Sequence, residues 1–431
     1  MIWLYRLLFL PLLLLAAPYY LWRMRRRGGY GEGFGQRFGA VPALPPRRPG
    51  VKRVWLQAVS VGEILAVAPL LEALQRDGSV EVYLTTTTST GYRLAREKYA
   101  ALVIGIAYFP LDFWALSARA WQSVQPDLCI LMEGERWPEH VWQARNRGVP
   151  VICVNARLSD RSFRHYLRFR RALQPLARGL TRVLCAAKRD EQRFKTLGYP
   201  AEWLLTTGNL KLDVTIPLLD ATGRSTLRRE LGLPPAGLVL LGSSTWAGEE
   251  TALISALKAA RERGLAVSLL LVPRHAERRE ELRPLLEKSG LRHHFRSEGL
   301  APGEVDVAVG DTTGELRQLT QLADLVFVGK SLAPHEGGQT PVEAAVLGKP
   351  LLHGPRMTNF RDIIRSLTEE GAVRRVDTHG ALIEAAVELL QDGAQREKLA
   401  TAARAWSEAN RGATERTLRV LIEQLHPAGG A

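Results

Sequence analysis

Two carboxylates one residue apart in Glu133-Gly134-Glu135, and a third in Ser60-Val61-Gly62-Glu63, directly follow short apolar runs, as does a hydroxyl-rich stretch from Thr85 through Ser89-Thr90-Gly91. In a parallel sheet such positions fall outside the carboxyl ends of the strands, where ligands bind. The second half of the chain repeats the arrangement with Gly242-Ser243-Ser244-Thr245-Trp246, Pro273-Arg274-His275, Gly310 to Glu315, and Gly337-Gly338-Gln339-Thr340-Pro341-Val342-Glu343. Small residues and hydroxyls that open helices suit an anion, because unpaired amides and the helix dipole both favour negative charge there. Gly337 and Gly338 let backbone amides approach a ligand without a Cβ in the way, and Pro341 has no amide to waste in a first turn. Glu343 then either complements the dipole or grips a ribose diol. Beside the other polar loops of the same rim, a nucleotide is the stronger reading.

The elements that position these loops are short β-branched runs, each followed by a helix-like stretch. Val54 to Val59, Val80 to Leu84, Leu102 to Ile106, Leu128 to Met132, Val151 to Val154 and Val183 to Cys185 read as strands of one parallel sheet. The pattern lapses near Leu212 to Arg224. It restarts with Leu238 to Leu241, Val267 to Val272, Val305 to Val309, Asp324 to Val328 and Pro350 to Leu352. Two doubly wound α/β domains are expected, with the Pro- and Arg-rich segment from Val41 to Gly50 as a linker ahead of the first strand.

A chain of 431 residues, 46% hydrophobic and 24% charged, is long enough for two such domains and too apolar to be mainly disordered. The formal net charge of +14 favours anionic partners. Cys129, Cys153 and Cys185 lie singly in apolar runs, the pattern of buried reduced thiols. From Ile2 to Trp22 the only charge is Arg6, and Arg23, Arg25, Arg26 and Arg27 follow. That stretch is long enough to cross a bilayer core, although Pro11 and Pro18 argue against a perfectly regular helix. The arginines after the apolar run are on the wrong side for a cleaved signal peptide, and they place the rest of the chain in the cytoplasm.

Arg161, Arg164, Arg168 and Arg171 recur at helical spacing with Phe163, Tyr166, Leu167 and Phe169 between them. Such a face suits a phosphorylated lipid or anionic headgroups, but equally nucleic acid or plain solvent. The apolar N-terminal segment favours lipid over nucleic acid.

Val59 to Glu63, Thr85 to Thr88, Glu133 and Glu135 before Trp137-Pro138, Asn155 to Ser159, Gly208-Asn209-Leu210-Lys211, Gly242 to Thr245, Pro273-Arg274-His275, Gly329 to Glu343, and Gly354-Pro355 with Asn359-Phe360 occur in the order found in 3-deoxy-D-manno-octulosonic acid (Kdo) transferases, which the chain resembles over nearly its whole length. The resemblance implies an α/β GT-B architecture, two Rossmann-like domains facing a cleft, with an N-terminal membrane anchor. Residues 1–27 would be the anchor, 28–215 the acceptor-binding domain and 216–431 the domain binding the nucleotide sugar. The implied reaction is inverting transfer of Kdo from CMP-Kdo to a lipid A precursor, with no cofactor, at the cytoplasmic face of the inner membrane.

Within it, Glu63 matches the general base, and Glu133, Glu135, Arg161, Arg164 and Arg168 are candidates for the acceptor. No DxD-type pair ends a strand, so a route without a metal is expected. Lys211, Ser243, Ser244, Thr245, Arg274 and the amides near Gly337 and Gly338 are candidates to neutralise the donor phosphate. Glu343 would hold the ribose and His275 would orient Arg274 or touch the nucleotide, though Lys211 and His275 also fit a solvated or packed role. The chain departs from the family pattern at Gln339-Thr340, where histidine and asparagine are usual, and at Gly134, where threonine is usual. Another GT-B enzyme acting on a UDP-sugar, or a silent lipid-binding relative, is the alternative.

Overall fold

A computed structural model describes residues 2–26, 33–135, 137–169 and 179–426, and Arg27 and Arg171 lie outside that set. The chain forms two compact units, one of residues up to Asp213 together with those from Asn410 onward, the other of Val214–Ala409.

The first unit carries the seven parallel strands β1 (Lys52–Gln57), β2 (Val80–Thr86), β3 (Gly105–Tyr108), β4 (Leu128–Met132), β5 (Val151–Ala156), β6 (Arg182–Cys185) and β7 (Leu204–Thr206), in the order 3-2-1-4-5-6-7. β1 is the strand from which the order runs both ways, so the loops after β1 and β4 leave adjacent strands in opposite directions. That divergence makes a crevice at their carboxyl ends. The core is built of apolar strand residues such as Leu56, Leu84 and Ile130 against Ile64, Leu70 and Leu74 of the helix Val61–Asp77.

The second unit repeats the plan with β8 (Leu238–Thr245), β9 (Val267–Pro273), β10 (His293–Phe295), β11 (Val307–Val309), β12 (Leu325–Val328), β13 (Leu351–His353) and β14 (Val373–Arg375), in the order 10-11-9-8-12-13-14. Its crevice lies between β8 and β12. Ladders on both sides of β8 are parallel.

Several expectations are corrected. The third strand runs from Gly105 rather than Leu102, because Ala100–Leu102 closes the preceding helix as a 3-10 turn. β7, β10 and β14 have no counterpart among the strands read from sequence. Pro11 and Pro18 sit inside one continuous helix, Ile2–Arg26. The residues from Asn410 belong with the first unit, not the second. Their helix, Ala413–Leu425, packs Leu421 and Leu425 into the first unit's core, and Asp213 accepts the amides of Gly412 at 3.0 Å and Thr414 at 2.6 Å.

That carboxylate ties the chain where it leaves the first unit to where it returns. Asp213→Ala strands two amides, and the expected cost is about 1–3 kcal/mol. It should be read as a lower urea midpoint with an unchanged slope.

Candidate active site

The loop after β1 is fixed at one residue, Val59. Glu63 Oε2 accepts the Val59 amide at 2.8 Å, while the Val59 carbonyl accepts the hydroxyls of Thr86, Thr87 and Thr88 at 3.1, 3.3 and 3.2 Å. The hydroxyl run read as a ligand rim therefore holds the β1 exit in part. Ser60 caps the helix Val61–Asp77, accepting the Glu63 amide at 3.3 Å and donating its hydroxyl to Glu63 Oε1 at 3.0 Å. This is a capping box displaced by one residue, with the Val59 amide taken in place of the cap's own, and it sets the carboxylate at the crevice.

The loop after β4 brings two more carboxylates to that crevice. Glu135 accepts Trp137 Nε1 at 3.0 Å. Burial, and then the charge of Glu63, push the Glu135 carboxyl up to about 8. Glu63 is itself raised, by burial first and by the charge of Glu133, against the lowering effects of the Val59 amide, Ser60 and Lys211. When the charge of one carboxylate raises another in the same crevice, the raised one keeps its proton near neutral pH and the other is ionised. The value near 8 makes Glu135 the neutral one.

Glu133 takes the left-handed region at φ 59° and Gly134 follows at φ 124°. At Gly134 a β-branched residue would be strained. Glu133 pairs with Lys211 and lies 3.8 Å from the Arg157 guanidinium. Lys211, read as a donor-phosphate ligand, is thus engaged within the first unit by the Glu133 carboxylate. Asn155, also left-handed at φ 53°, accepts the Leu210 amide at 3.0 Å and so sets the turn that carries Lys211. Gln57 is fully buried, its Oε1 accepting the Thr85 hydroxyl at 2.8 Å while its amide faces Glu135. Neither amide residue had been given a role from sequence.

Arg161, Arg164 and Arg168 are exposed on the helix Asp160–Arg168, whose Phe163 and Tyr166 pack inward on the core. Asp160, the carboxylate of that helix, pairs instead with Arg189 and Arg193 of the helix Lys188–Thr196.

In the second unit a fully buried carboxylate missed by sequence reading organises the crevice. Glu249 accepts the amides of Trp246 at 3.0 Å, Lys330 at 2.8 Å, Ser331 at 3.0 Å and Leu332 at 3.3 Å, joining the loop after β8 to the loop after β12. Burial raises its pKa against those four donors. The spacing Trp246 to Glu249 is the residual signal of a helix cap, hidden because tryptophan supplies only its backbone.

Ser243 and Ser244 are buried, Arg274 and His275 are exposed, and His275 meets the Trp246 ring edge-on at 5.8 Å. Lys330 Nζ lies 4.6 Å above the same ring. Thr245 Oγ1 and Trp246 Nε1 are buried without a partner among the described residues, which leaves two donors for a ligand.

The glycine loop is a correction. Its amides are already committed: Gly337 to the Arg356 carbonyl at 3.0 Å, Gly338 to Lys330 at 3.0 Å and Gln339 to Gly329 at 3.1 Å. At Gly338, φ is 71° and a Cβ would fall 2.3 Å from Met357 Sδ, so glycine serves the turn. The helix beyond is short, Val342–Val346, with Pro341 as its cap, and Glu343 accepts the Thr340 hydroxyl at 2.9 Å.

A family model for 3-deoxy-D-manno-octulosonic-acid transferase matches residues 32–214. The 3-deoxy-D-manno-octulosonic acid transferase of Bordetella pertussis is 37% identical over 425 residues, covering 95% of this chain and 97% of that one. The chain belongs to the Kdo transferase family. The Haemophilus influenzae Kdo transferase is 33% identical over 426 residues, covering 97% of this chain and 95% of that one. A crystal structure of UDP-GlcNAc 2-epimerase from Neisseria meningitidis bound to UDP-GlcNAc superposes with a TM-score of 0.56 at 16% identity, covering 86% of this chain and all of that one. At that identity the likeness speaks for the GT-B fold alone.

Members of the Kdo transferase family are glycosyltransferases, and this chain is one. The strand plan of its units is that of GT-B proteins. In this Kdo transferase Glu249→Ala would leave four amides without their acceptor. We expect a loss of more than about 3 kcal/mol, since each hydrogen bond to a charged group is worth about 1.5–3 kcal/mol. Urea unfolding measures it.

Proposed function

We propose that this enzyme moves Kdo from CMP-Kdo to a tetra-acylated lipid A precursor, with inversion, using Glu63 as general base. The observation that carries the reading is the Glu63–Glu135 pair at the β1/β4 crevice. A neutral Glu135 leaves Glu63 ionised, and burial makes that carboxylate a stronger base than one in water. Glu63 takes the acceptor hydroxyl proton as the oxygen bonds to the anomeric carbon. The bond from that carbon to the CMP phosphate breaks, and CMP departs with the electron pair.

Lys211 and Arg157, both beside Glu133, suit a phosphate or the Kdo carboxylate. On the donor side the supporting features are Arg274, His275, the hydroxyls of Ser243, Ser244 and Thr245, the Trp246 indole, and Glu343 for the ribose. Gly337 and Gly338 shape that turn rather than donate. The exposed arginines of Asp160–Arg168 take the lipid phosphates. The 21-residue apolar segment Ile2–Trp22 holds the enzyme at the inner membrane, with both units on the cytoplasmic side.

Glu63→Gln is expected to lower kcat by about 10²–10⁴-fold while CMP still protects the second unit against thermal unfolding, and normal turnover would remove Glu63 as the base. Stronger protection by UDP than by CMP would favour the UDP-sugar alternative. Glu135 has a raised pKa, so its proton is present below about pH 8 and lost above it. Turnover should fall as pH rises through that value, and Glu135→Gln, which keeps a neutral group there, should abolish the alkaline fall. An unaltered profile would separate Glu135 from the base.

Reversal of Arg161 and Arg164 to Glu is expected to raise the acceptor KM about tenfold or more, leaving CMP protection unchanged. Steady-state kinetics with a soluble lipid A precursor reads it directly.

A further inference from the structure

The apolar helix Ile2–Arg26 does more than trail from the first unit. Arg6, its single charge between Ile2 and Trp22, makes a two-pronged ion pair with Glu139, Nε to Oε2 and Nη2 to Oε1, both at 2.8 Å. Tyr5 donates its hydroxyl to Asp112 Oδ2 at 2.6 Å, and the Phe9 ring stacks on Phe113 at 5.9 Å and 21°. The receiving groups are built into the unit. Asp112 also accepts the amides of Glu139 at 3.2 Å and His140 at 3.0 Å at the start of the helix Pro138–Asn146, and Gln143 donates to Glu139 Oε1 at 2.8 Å. Glu139 and Asp112 are both buried. Were the helix to leave, Glu139 would lose the ion pair that Arg6 supplies, a costly arrangement for a buried charge.

Past the helix the chain returns to the same surface. Arg37 stacks over Tyr108 at 3.8 Å and donates to the Thr87 carbonyl at 2.8 Å, and its own carbonyl accepts the Leu111 amide at 2.9 Å. Only eight residue steps separate Arg26 from Phe34 (34 − 26), where the turn Phe34–Phe38 begins. Fully extended they reach at most about 29 Å, less than the hydrocarbon core of about 30 Å. With its Ile2 end bound to the first unit and its Arg26 end on so short a tether to it, neither end of the helix can lie across a bilayer from that unit.

The helix nevertheless belongs in lipid. Leu7, Leu12, Leu14 and Leu15 are exposed, and Tyr19, Tyr20 and Trp22 crowd the end next to the arginines, as at a membrane–water boundary. Trp114 beside Phe113, and Phe38 in the returning turn, are exposed as well, extending the apolar surface from the helix onto the folded unit. We propose that the helix enters the bilayer from one face only, its Ile2 end latched to the first unit through Arg6–Glu139 and Tyr5–Asp112, making this a monotopic enzyme whose first unit is held against the lipid surface. The inference rests on the membrane reading of the preceding subsection.

The test uses the full chain with a short protease-cleavable epitope placed ahead of Ile2, in sealed inverted and right-side-out vesicles. Glu97→Cys, an exposed site on the first unit, reports by impermeant maleimide which population exposes that unit. The epitope should be cut in the population where Cys labels, and cutting only in the opposite one would establish a spanning helix and overturn the proposal. Recovery of the chain in the soluble fraction would overturn the membrane reading, and the monotopic assignment with it. Arg6→Glu should lower the thermal midpoint of the detergent-solubilised enzyme, and Glu139→Arg in the same chain should restore part of it. A midpoint untouched by Arg6→Glu would show that the ion pair does not hold the helix.

Discussion

The backbone of Val59 is held from both sides, its amide by Glu63 and its carbonyl by three threonine hydroxyls of the β2 exit. Strand order forces this. Where a parallel sheet reverses direction, the loops of two adjacent strands part company and their backbone groups lose the ladder that would satisfy them. The second unit meets the same constraint with Glu249, which gathers amides from both diverging loops. In each unit a carboxylate in the first turn of the helix after the central strand supplies the missing acceptors. The first unit leaves its carboxylate beside others of like charge. The second surrounds its own with amides.

That difference separates the carboxylate proposed as the base from a structural one. Glu249 is saturated by four donors and has no carboxylate neighbour among the causes of its shift. Glu63 has one amide and one hydroxyl, feels Glu133, and itself raises Glu135. Lys211 and Arg157 temper Glu133 from the other side, so the crevice mixes signs at short range although the chain as a whole carries +14. On the proposed function, long-range attraction of anionic substrates and local control of a proton are thus served by different residues.

The fold was legible where strands are buried on both faces. β4 and β12 are apolar throughout, and β1, β8 and β9 each carry an unbroken apolar stretch of at least three residues, as strands at the centre of a parallel sheet do. The misses lie at the sheet edges. β7, β10 and β14 are three-residue strands at the ends of the sheet order, and β3, the fourth edge, is displaced from its expected start. An edge strand is covered less and carries less of the apolar signal. At the site, loop positions could be read because small and polar residues punctuate the pattern. Partners could not: the sequence shows that Gly337 and Gly338 are permissive, but not that their amides are already taken by Arg356 and Lys330. Lys211 likewise looked like a phosphate ligand because nothing local reveals that Glu133, 78 residues away, is its partner.

The tie between Asp213 and the amides of Gly412 and Thr414 bears on ancestry and engineering. Because the chain departs and returns at one point, the second unit is an insert in the first, and its two ends are neighbours in space. Such an insert can be exchanged or excised as a cassette with a short joint between Asp213 and Gly412, whereas simple truncation after Asp213 removes the closing helix Ala413–Leu425 and opens the core of what remains. Recombination between relatives would preserve folding when it moves both crossings together.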